Sequence, residues 1–163
     1  MVKLIGAVMT AFACGYFGFH ISLALKTRMT SLLDIVSSLE MLESEINFSI
    51  NRLKKAFERI DKNGLFKSAS EMIDTLGIKK AWEDAIENNS GRLCITDADK
   101  DILLMLGKNL GKTDTDDQIK NIKYIKTLIA SQAKQATEEY NRLGKLYRSG
   151  GVLVGAMVVI ILI

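Results

Sequence analysis

The side chains that could catalyse a reaction or hold a metal are few in this chain of 163 residues. There is one histidine, His20, and there are two cysteines, Cys14 and Cys94, far apart in the sequence. A structural zinc ion needs four ligands of these types, and a catalytic thiolate needs a base beside it. The sequence also lacks a Walker-type phosphate loop and a GxSxG motif. These features predict a protein that is not an enzyme and that carries no metal or cofactor.

Glu40, Glu43 and Glu45 form an acidic cluster, and clustered carboxylates can bind a cation or act as acid and base. Glu40 and Glu43 share one helical face, whereas Glu43 and Glu45 do not. Few other metal-ligating side chains accompany them. We therefore interpret the cluster as a solvated helix face, with Glu43 directed toward a partner or toward an arginine.

Composition narrows the class of protein further. The formal net charge is +3, with the basic residues interleaved among Asp and Glu, so no basic face suited to nucleic acid is expected. Proline is absent, which favours long uninterrupted helices.

Uncharged residues are concentrated at the two ends of the chain. A run of 22 residues from Leu4 to Leu25 has no formal charge apart from His20, and a run of 15 ends at Ile163. About 20 helical residues cross a bilayer core, so the first run predicts a transmembrane helix and the second is short by several residues. We predict an N-terminal transmembrane helix over 1–28, a helical domain over 29–148 and a C-terminal membrane segment over 149–163.

The flanking charges predict the orientation. Basic residues are more numerous on the inner side of both apolar runs, where Lys26, Arg28 and Arg148 lie, which places the helical domain in the cytoplasm. These charges, and the length of the first run, also argue against a cleaved signal peptide. His20 has no intramembrane carboxylate to pair with, so we expect a neutral side chain rather than a proton relay.

Small residues recur at intervals of four in both apolar runs, at Ala7, Ala11 and Gly15 and at Gly151 and Gly155. Such spacing lets helix backbones approach closely. It also arises because glycine and alanine are common in membrane helices, and both interpretations remain open.

The polar middle of the chain shows helical periodicity throughout. From Met29 to Asp61 the apolar residues follow steps of three and four, at Met29, Leu32, Val36, Leu39, Ile46, Ile50, Leu53, Phe57 and Ile60. The slot missing from this series is Glu43, and the neighbouring Leu42 can cover part of the stripe. Asn63-Gly64 should end this helix. Shorter helices are predicted after it, over 65–76 up to Gly77, over 78–87, and from an N-cap at Thr96 to a stop at Gly111. Trp82 is predicted to be a core anchor.

A last long helix should begin near Thr115, with Asp116 and Asp117 in its first turn. Its predicted seam runs through Ile122, Ile125, Ile129, Gln132, Ala136, Tyr140, Leu143 and Tyr147. No window alternates with a period of two, so strands are not predicted. We therefore expect an all-α helical bundle of two long antiparallel helices with short helices between them, and a transmembrane helix at each end.

Several segments together resemble the stage III sporulation protein AB family over essentially the whole chain. They are SLEMLESEI at 38–46, Ala81-Trp82, LGKNLG at 106–111 with Asp114 and Gln118 after it, and KLYRSGG at 145–151 before an aliphatic end. Many relatives have a proline after the acidic segment, where this chain has Asn47-Phe48-Ser49-Ile50. The first long helix is therefore expected to run straighter here.

The resemblance implies a platform in the channel between mother cell and forespore, similar to the inner-membrane platform proteins of type II secretion. It implies the stage III sporulation protein AA ATPase and other membrane components as partners, in the mother-cell (outer forespore) membrane. Glu40, Glu43, Glu45, Lys108 and Asn109 are the predicted partner contacts. Self-association is left open. The alternative function is a helical membrane regulator or assembly factor unrelated to sporulation.

Overall fold

A computed structural model of the protein describes residues 2–44, 50–110 and 115–162. These residues form α-helices and contain no strand, so the predicted all-α class is confirmed. The helices are α1 (Val2–Ser44), α2 (Ile50–Ile60), α3 (Leu65–Leu93), α4 (Asp97–Asn109), α5 (Thr115–Glu139), a π-helical turn (Tyr140–Gly144) and α6 (Lys145–Leu162).

The chain divides into two compact units. Unit 1 comprises Met1–Met29 and Gln135–Ile163, and unit 2 comprises Thr30–Lys134. The N-terminal part of α1 and all of α6 lie in unit 1. Unit 2 covers most of the sequence of the predicted helical domain, 29–148.

Unit 2 is built around one apolar core to which all five of its helices contribute. Its largest fully buried side chains are Leu32, Ile35, Leu39, Leu42, Leu53, Phe57, Ile60, Leu65, Phe66, Trp82, Ile86 and Leu103. From α5, Ile122, Ile125 and Ile129 are buried as predicted. Each such side chain stabilises the fold by roughly 1.5–3 kcal/mol through the apolar surface that it removes from water.

The buried face of α1 is rotated slightly from the predicted seam. Ile35 and Leu42 are fully buried, whereas the predicted Val36 and Glu43 are only partly buried. The row of Ile35 and Leu42 and the row of Val36 and Glu43 both satisfy the three-four spacing of a helix. Burying the row that contains Glu43 would remove a charge from water. The row with Leu42 avoids that cost.

Helix α3 is longer than predicted. Gly77 is predicted to end one helix before the next begins, and its non-helical backbone (φ 75°, ψ 162°) does interrupt α3 with a kink between two helical segments. The predicted stop at Asn88–Gly91 is wrong, because Asn89 Nδ2 donates to the Ala85 carbonyl (2.8 Å) and Ser90 Oγ to the Glu87 carbonyl (2.9 Å). Both bonds are made within the helix, which continues to Leu93.

The predicted start of α4 is confirmed, with more detail than the sequence indicated. Thr96 is the N-cap, and its hydroxyl accepts from the Asp99 N–H (3.4 Å) while Asp99 Oδ2 accepts from the Thr96 N–H (2.9 Å). This reciprocal arrangement is a capping box. The predicted stop at Gly111 lies outside the described residues, as do the residues just before Thr115, from which α5 is described.

Unit 1 contains a π-helical turn that changes the predicted register. Gly144 is buried, whereas Leu143 is partly buried and Tyr147 is 40% exposed, so the seam predicted through Leu143 and Tyr147 is wrong. A π turn adds one residue to a helical turn and moves the buried face by one position. Arg28 and Glu139 form an ion pair at 3.1 Å in the same unit.

Two transmembrane helices were predicted at the ends of the chain. Among the residues that the structure describes, no helix combines the length and the apolar character that crossing a bilayer requires.

Candidate partner-binding surface

An aromatic cluster fixes α3 in the core of unit 2. The ring of Trp82 lies 5.7 Å from that of Phe57 and 5.1 Å from that of Phe66, measured between centroids. The indole Nε1–H donates to the Leu103 carbonyl of α4 at 2.7 Å. Trp82 is fully buried, which confirms its predicted role as a core anchor. It therefore joins α3 to α4 through both packing and a buried hydrogen bond.

Gly107 lets the backbone of α4 approach the Trp82 ring. A Cβ at this position would lie 2.6 Å from Trp82 Cδ1, which is closer than van der Waals contact allows. The first glycine after Leu106 in the LGKNLG segment is thus required by packing. The next residue, Lys108, is exposed on the surface of α4.

A groove of about 560 Å³ lies between the polar faces of α3 and α4. Its lining residues are Lys80, Glu83, Asp84, Glu87, Asp101, Leu104, Met105 and Lys108. Residues three, four and seven apart share one helical face, so each helix presents one row of these side chains. Among the predicted contact residues whose side chains the structure describes, Lys108 lines this groove.

The groove combines apolar side chains with charges that are only partly neutralised. Met105 is 38% exposed and Leu104 is partly buried. Lys80 Nζ lies 2.8 Å from Asp84 Oδ1, and this hydrogen bond raises the pKa of Lys80. Within the described part of the chain, Glu87 and Asp101 form no ion pair. This surface can accept an apolar side chain and opposite charges from another molecule.

The predicted contact residue Glu43 is bound within its own unit. Glu43 Oε2 accepts a hydrogen bond from Lys126 Nζ at 2.8 Å, and Lys123 Nζ lies 3.5 Å from Glu43 Oε1. The hydrogen bond from Lys126 and the charges of both lysines hold the pKa of Glu43 below its usual range. The hypothesis of an arginine partner is wrong, because two lysines on one face of α5 hold this carboxylate. Glu40 is exposed, and Glu45 lies outside the described residues.

The remaining predicted residues are placed as follows. Asn109 is the last residue of α4. Gly155 is buried, whereas Gly15 is partly buried and a Cβ there would meet no atom within 4 Å. The structure does not describe the burial of Ala7, Ala11 or Gly151. The packing face of small residues stays a prediction.

His20 is exposed in unit 1, with its ring centroid 6.0 Å from that of Tyr16. In the described segments, no three residues among His, Cys, Asp and Glu are grouped so that they could hold a metal ion.

Sequence reasoning missed the acidic residues of the groove. Lys80, Asp84 and Glu87 on α3 follow helical spacing, as do Asp101 and Lys108 on α4. This spacing showed that each set shares a face. It could not show that the two faces meet, because that depends on the contact between Trp82 and α4.

Comparison with known proteins gives three matches. The family model described as stage III sporulation protein AB matches residues 3–163. Stage III sporulation protein AB of Bacillus subtilis (strain 168) is 26% identical over 170 residues, which cover 99% of each chain. A solved structure of a stage III sporulation protein AB is similar with a TM-score of 0.63 and 24% identity, over 70% of this chain and 96% of the other. The structural likeness supports the fold.

Proposed function

This chain belongs to the stage III sporulation protein AB family, and from that premise we propose that it is a non-enzymatic membrane platform of the mother cell-to-forespore channel. In this proposal unit 2 docks the cytoplasmic ATPase, stage III sporulation protein AA, and other channel subunits. Membership of a sporulation family disfavours the alternative of a regulator unrelated to sporulation.

The exposed apolar side chains of unit 1 support attachment to the membrane. Phe12, Phe17, Leu153, Met157 and Ile160 are 64–77% exposed. Exposed apolar side chains are unfavourable in water and suit contact with lipid. We propose that both ends of the chain lie in the mother-cell (outer forespore) membrane and that the basic flanks keep unit 2 in the cytoplasm.

The observation that carries the platform proposal is the α3/α4 groove of unit 2. Met105 is exposed, and Glu87 and Asp101 form no ion pair with any residue that the structure describes, so these side chains are the components of a protein interface rather than of a folded core. Lys108 lies in this groove and belongs to the LGKNLG segment, so it is the predicted contact residue that this proposal favours. Glu43 is a weaker candidate because Lys123 and Lys126 already neutralise it.

Replacing Lys108 tests the proposal in sporulating cells. We expect Lys108→Ala to lower the amount of the ATPase that co-purifies with the full-length protein by about tenfold, since a desolvated interfacial charge pair contributes more than 1 kcal/mol. Lys55 is an exposed lysine on α2 and is not part of the groove, so Lys55→Ala is the matched control.

Both variants should accumulate to the same level and retain their helicity. If the ATPase co-purifies equally with wild type, Lys108→Ala and Lys55→Ala, then the groove is not its docking site. Glu43→Ala is unsuitable for this test, because it would also break the ion pairs to α5.

A further inference from the structure

We propose that the occupant of the α3/α4 groove is an amphipathic helix of a protein partner, with two basic residues near one end of its buried face and an acidic residue about seven positions away. This inference rests on the proposed function, in which the groove docks a partner, and it specifies the chemistry of that partner.

The charges of the groove are arranged along its length. A link of three residues joins α3 and α4, so the two helices run antiparallel, in agreement with the contacts of Trp82 with Leu103 and Gly107. Glu87 and Asp101 are both close in sequence to this link, whereas Lys80 and Lys108 are farther from it. The groove therefore has a carboxylate end and an ammonium end.

Ion pairs within unit 2 determine which charged side chains of the groove can bind a partner. Asp84 is bonded to Lys80, and Glu83 lies 3.8 Å from Lys79. Among the described residues, the groove charges without an ion pair are Glu87 and Asp101 at one end and Lys108 at the other. Two carboxylates and one ammonium group thus remain to bind opposite charges of a partner.

The dimensions of the groove favour a helix. Asp101 and Lys108 are seven residues apart on α4, which corresponds to roughly 10 Å along the helix axis. Two turns of a partner helix span the same distance, and its apolar side chains would contact Leu104 and Met105 between the charged ends. A uniformly acidic partner would be repelled by Glu87 and Asp101.

Two synthetic peptides provide the probe. They share the same apolar face over 18 residues, but one carries a lysine pair followed seven residues later by glutamate, and the other carries the reversed charges. Full-length protein in phosphatidylcholine nanodiscs is titrated with each labelled peptide, and fluorescence anisotropy is read against empty nanodiscs. We expect the lysine-pair peptide to bind about tenfold more tightly than the reversed peptide.

Charge reversal in the groove gives the deciding result. The variant Glu87→Lys/Asp101→Lys should bind the reversed peptide more tightly than the lysine-pair peptide, because its carboxylate end has become cationic. Glu71→Lys, on an exposed site of α3 outside the groove, should keep the wild-type preference. A merely structural effect of the double substitution would weaken both peptides without inverting their order.

Equal affinity of the wild type for the two peptides would overturn the inference, as would a double variant that is folded but keeps the wild-type preference. If the wild type dimerises and the double variant does not, a second copy of this chain occupies the groove, and the inference is also overturned. Co-purification of the ATPase is a separate readout. If Lys108→Ala fails to lower it while the peptide preference inverts as expected, the ATPase assignment fails and the inference about the groove stands.

Discussion

Gly107 has no side chain, and this allows α3 and α4 to pack closely together. A glycine within a helix costs about 1 kcal/mol relative to alanine, because the unfolded chain loses more freedom. Here that cost is offset by the approach of the Trp82 ring, which fills the space of the missing Cβ and donates its N–H to Leu103.

We therefore expect Gly107→Ala to lower the free energy of unfolding by about 1–3 kcal/mol, since the new methyl group would overpack the indole. Urea unfolding of the full chain in detergent, followed by circular dichroism, measures this change. Gly91 is the control, because it is exposed in α3 with no atom near its absent Cβ, and Gly91→Ala should leave stability unchanged or raise it. Equal effects of the two substitutions would contradict the packing role of Gly107.

Glu43 links α1 to α5 through Lys123 and Lys126, and this predicts a pH dependence of stability. Its pKa is lowered in the folded state, so its ionised form is stabilised by folding. That contribution is complete above the pKa of the unfolded chain, about 4.3, and is lost as the pH falls through the lower folded value.

Glu43→Gln should consequently lower the melting temperature at pH 7, and the difference from wild type should shrink as the pH falls below about 4. Thermal unfolding between neutral and acidic pH measures it. Glu40→Gln is the control, since Glu40 is exposed on the same helix and forms no ion pair within the described residues. A difference that stays constant down to the lowest pH would show that the carboxylate does not act through its charge.

Among the elements, α4 depends on the cap at its first turn. Asp99 is fully buried, and its carboxylate accepts from both the backbone N–H and the hydroxyl of Thr96. The cap fixes where α4 begins and so fixes which face of α4 lines the groove.

Thr96→Ala should destabilise unit 2 by about 1 kcal/mol, because a backbone N–H of the first turn and the buried Asp99 both lose a partner. Thr75→Ala is the comparison, since Thr75 is exposed on α3 and donates only to the Met72 carbonyl within its own helix. Denaturant midpoints of the two variants provide the measurement. A Thr96→Ala protein as stable as Thr75→Ala would mean that water replaces the cap.

At the scale of the whole molecule, the proposed topology can be tested by cysteine labelling in intact cells. In a Cys14→Ser/Cys94→Ser background, a cysteine in place of the exposed Asn88 should react with an impermeant maleimide only after lysis, because unit 2 faces the cytoplasm. A cysteine at Lys3 should react before lysis. Labelling of position 88 in intact cells would place unit 2 across the membrane and would exclude docking of a cytoplasmic ATPase.

The sequence by itself determined the features that depend on neighbouring residues. The helical class, the cap at Thr96 and the burial of Trp82 all follow from local spacing, from capping preferences or from the size of one side chain. The sporulation family was also recognisable, because its characteristic segments are short and contiguous.

Only the tertiary structure decided features that depend on residues distant in the sequence. Glu43 and Lys126 are 83 positions apart, and no local pattern pairs them. The burial of Ile35 rather than Val36 in α1, and the meeting of the α3 and α4 faces in one groove, likewise required the packed core. Periodicity defines the apolar stripe of a helix, but long-range contacts decide what covers it, because burial depends on the surface that the rest of the chain presents.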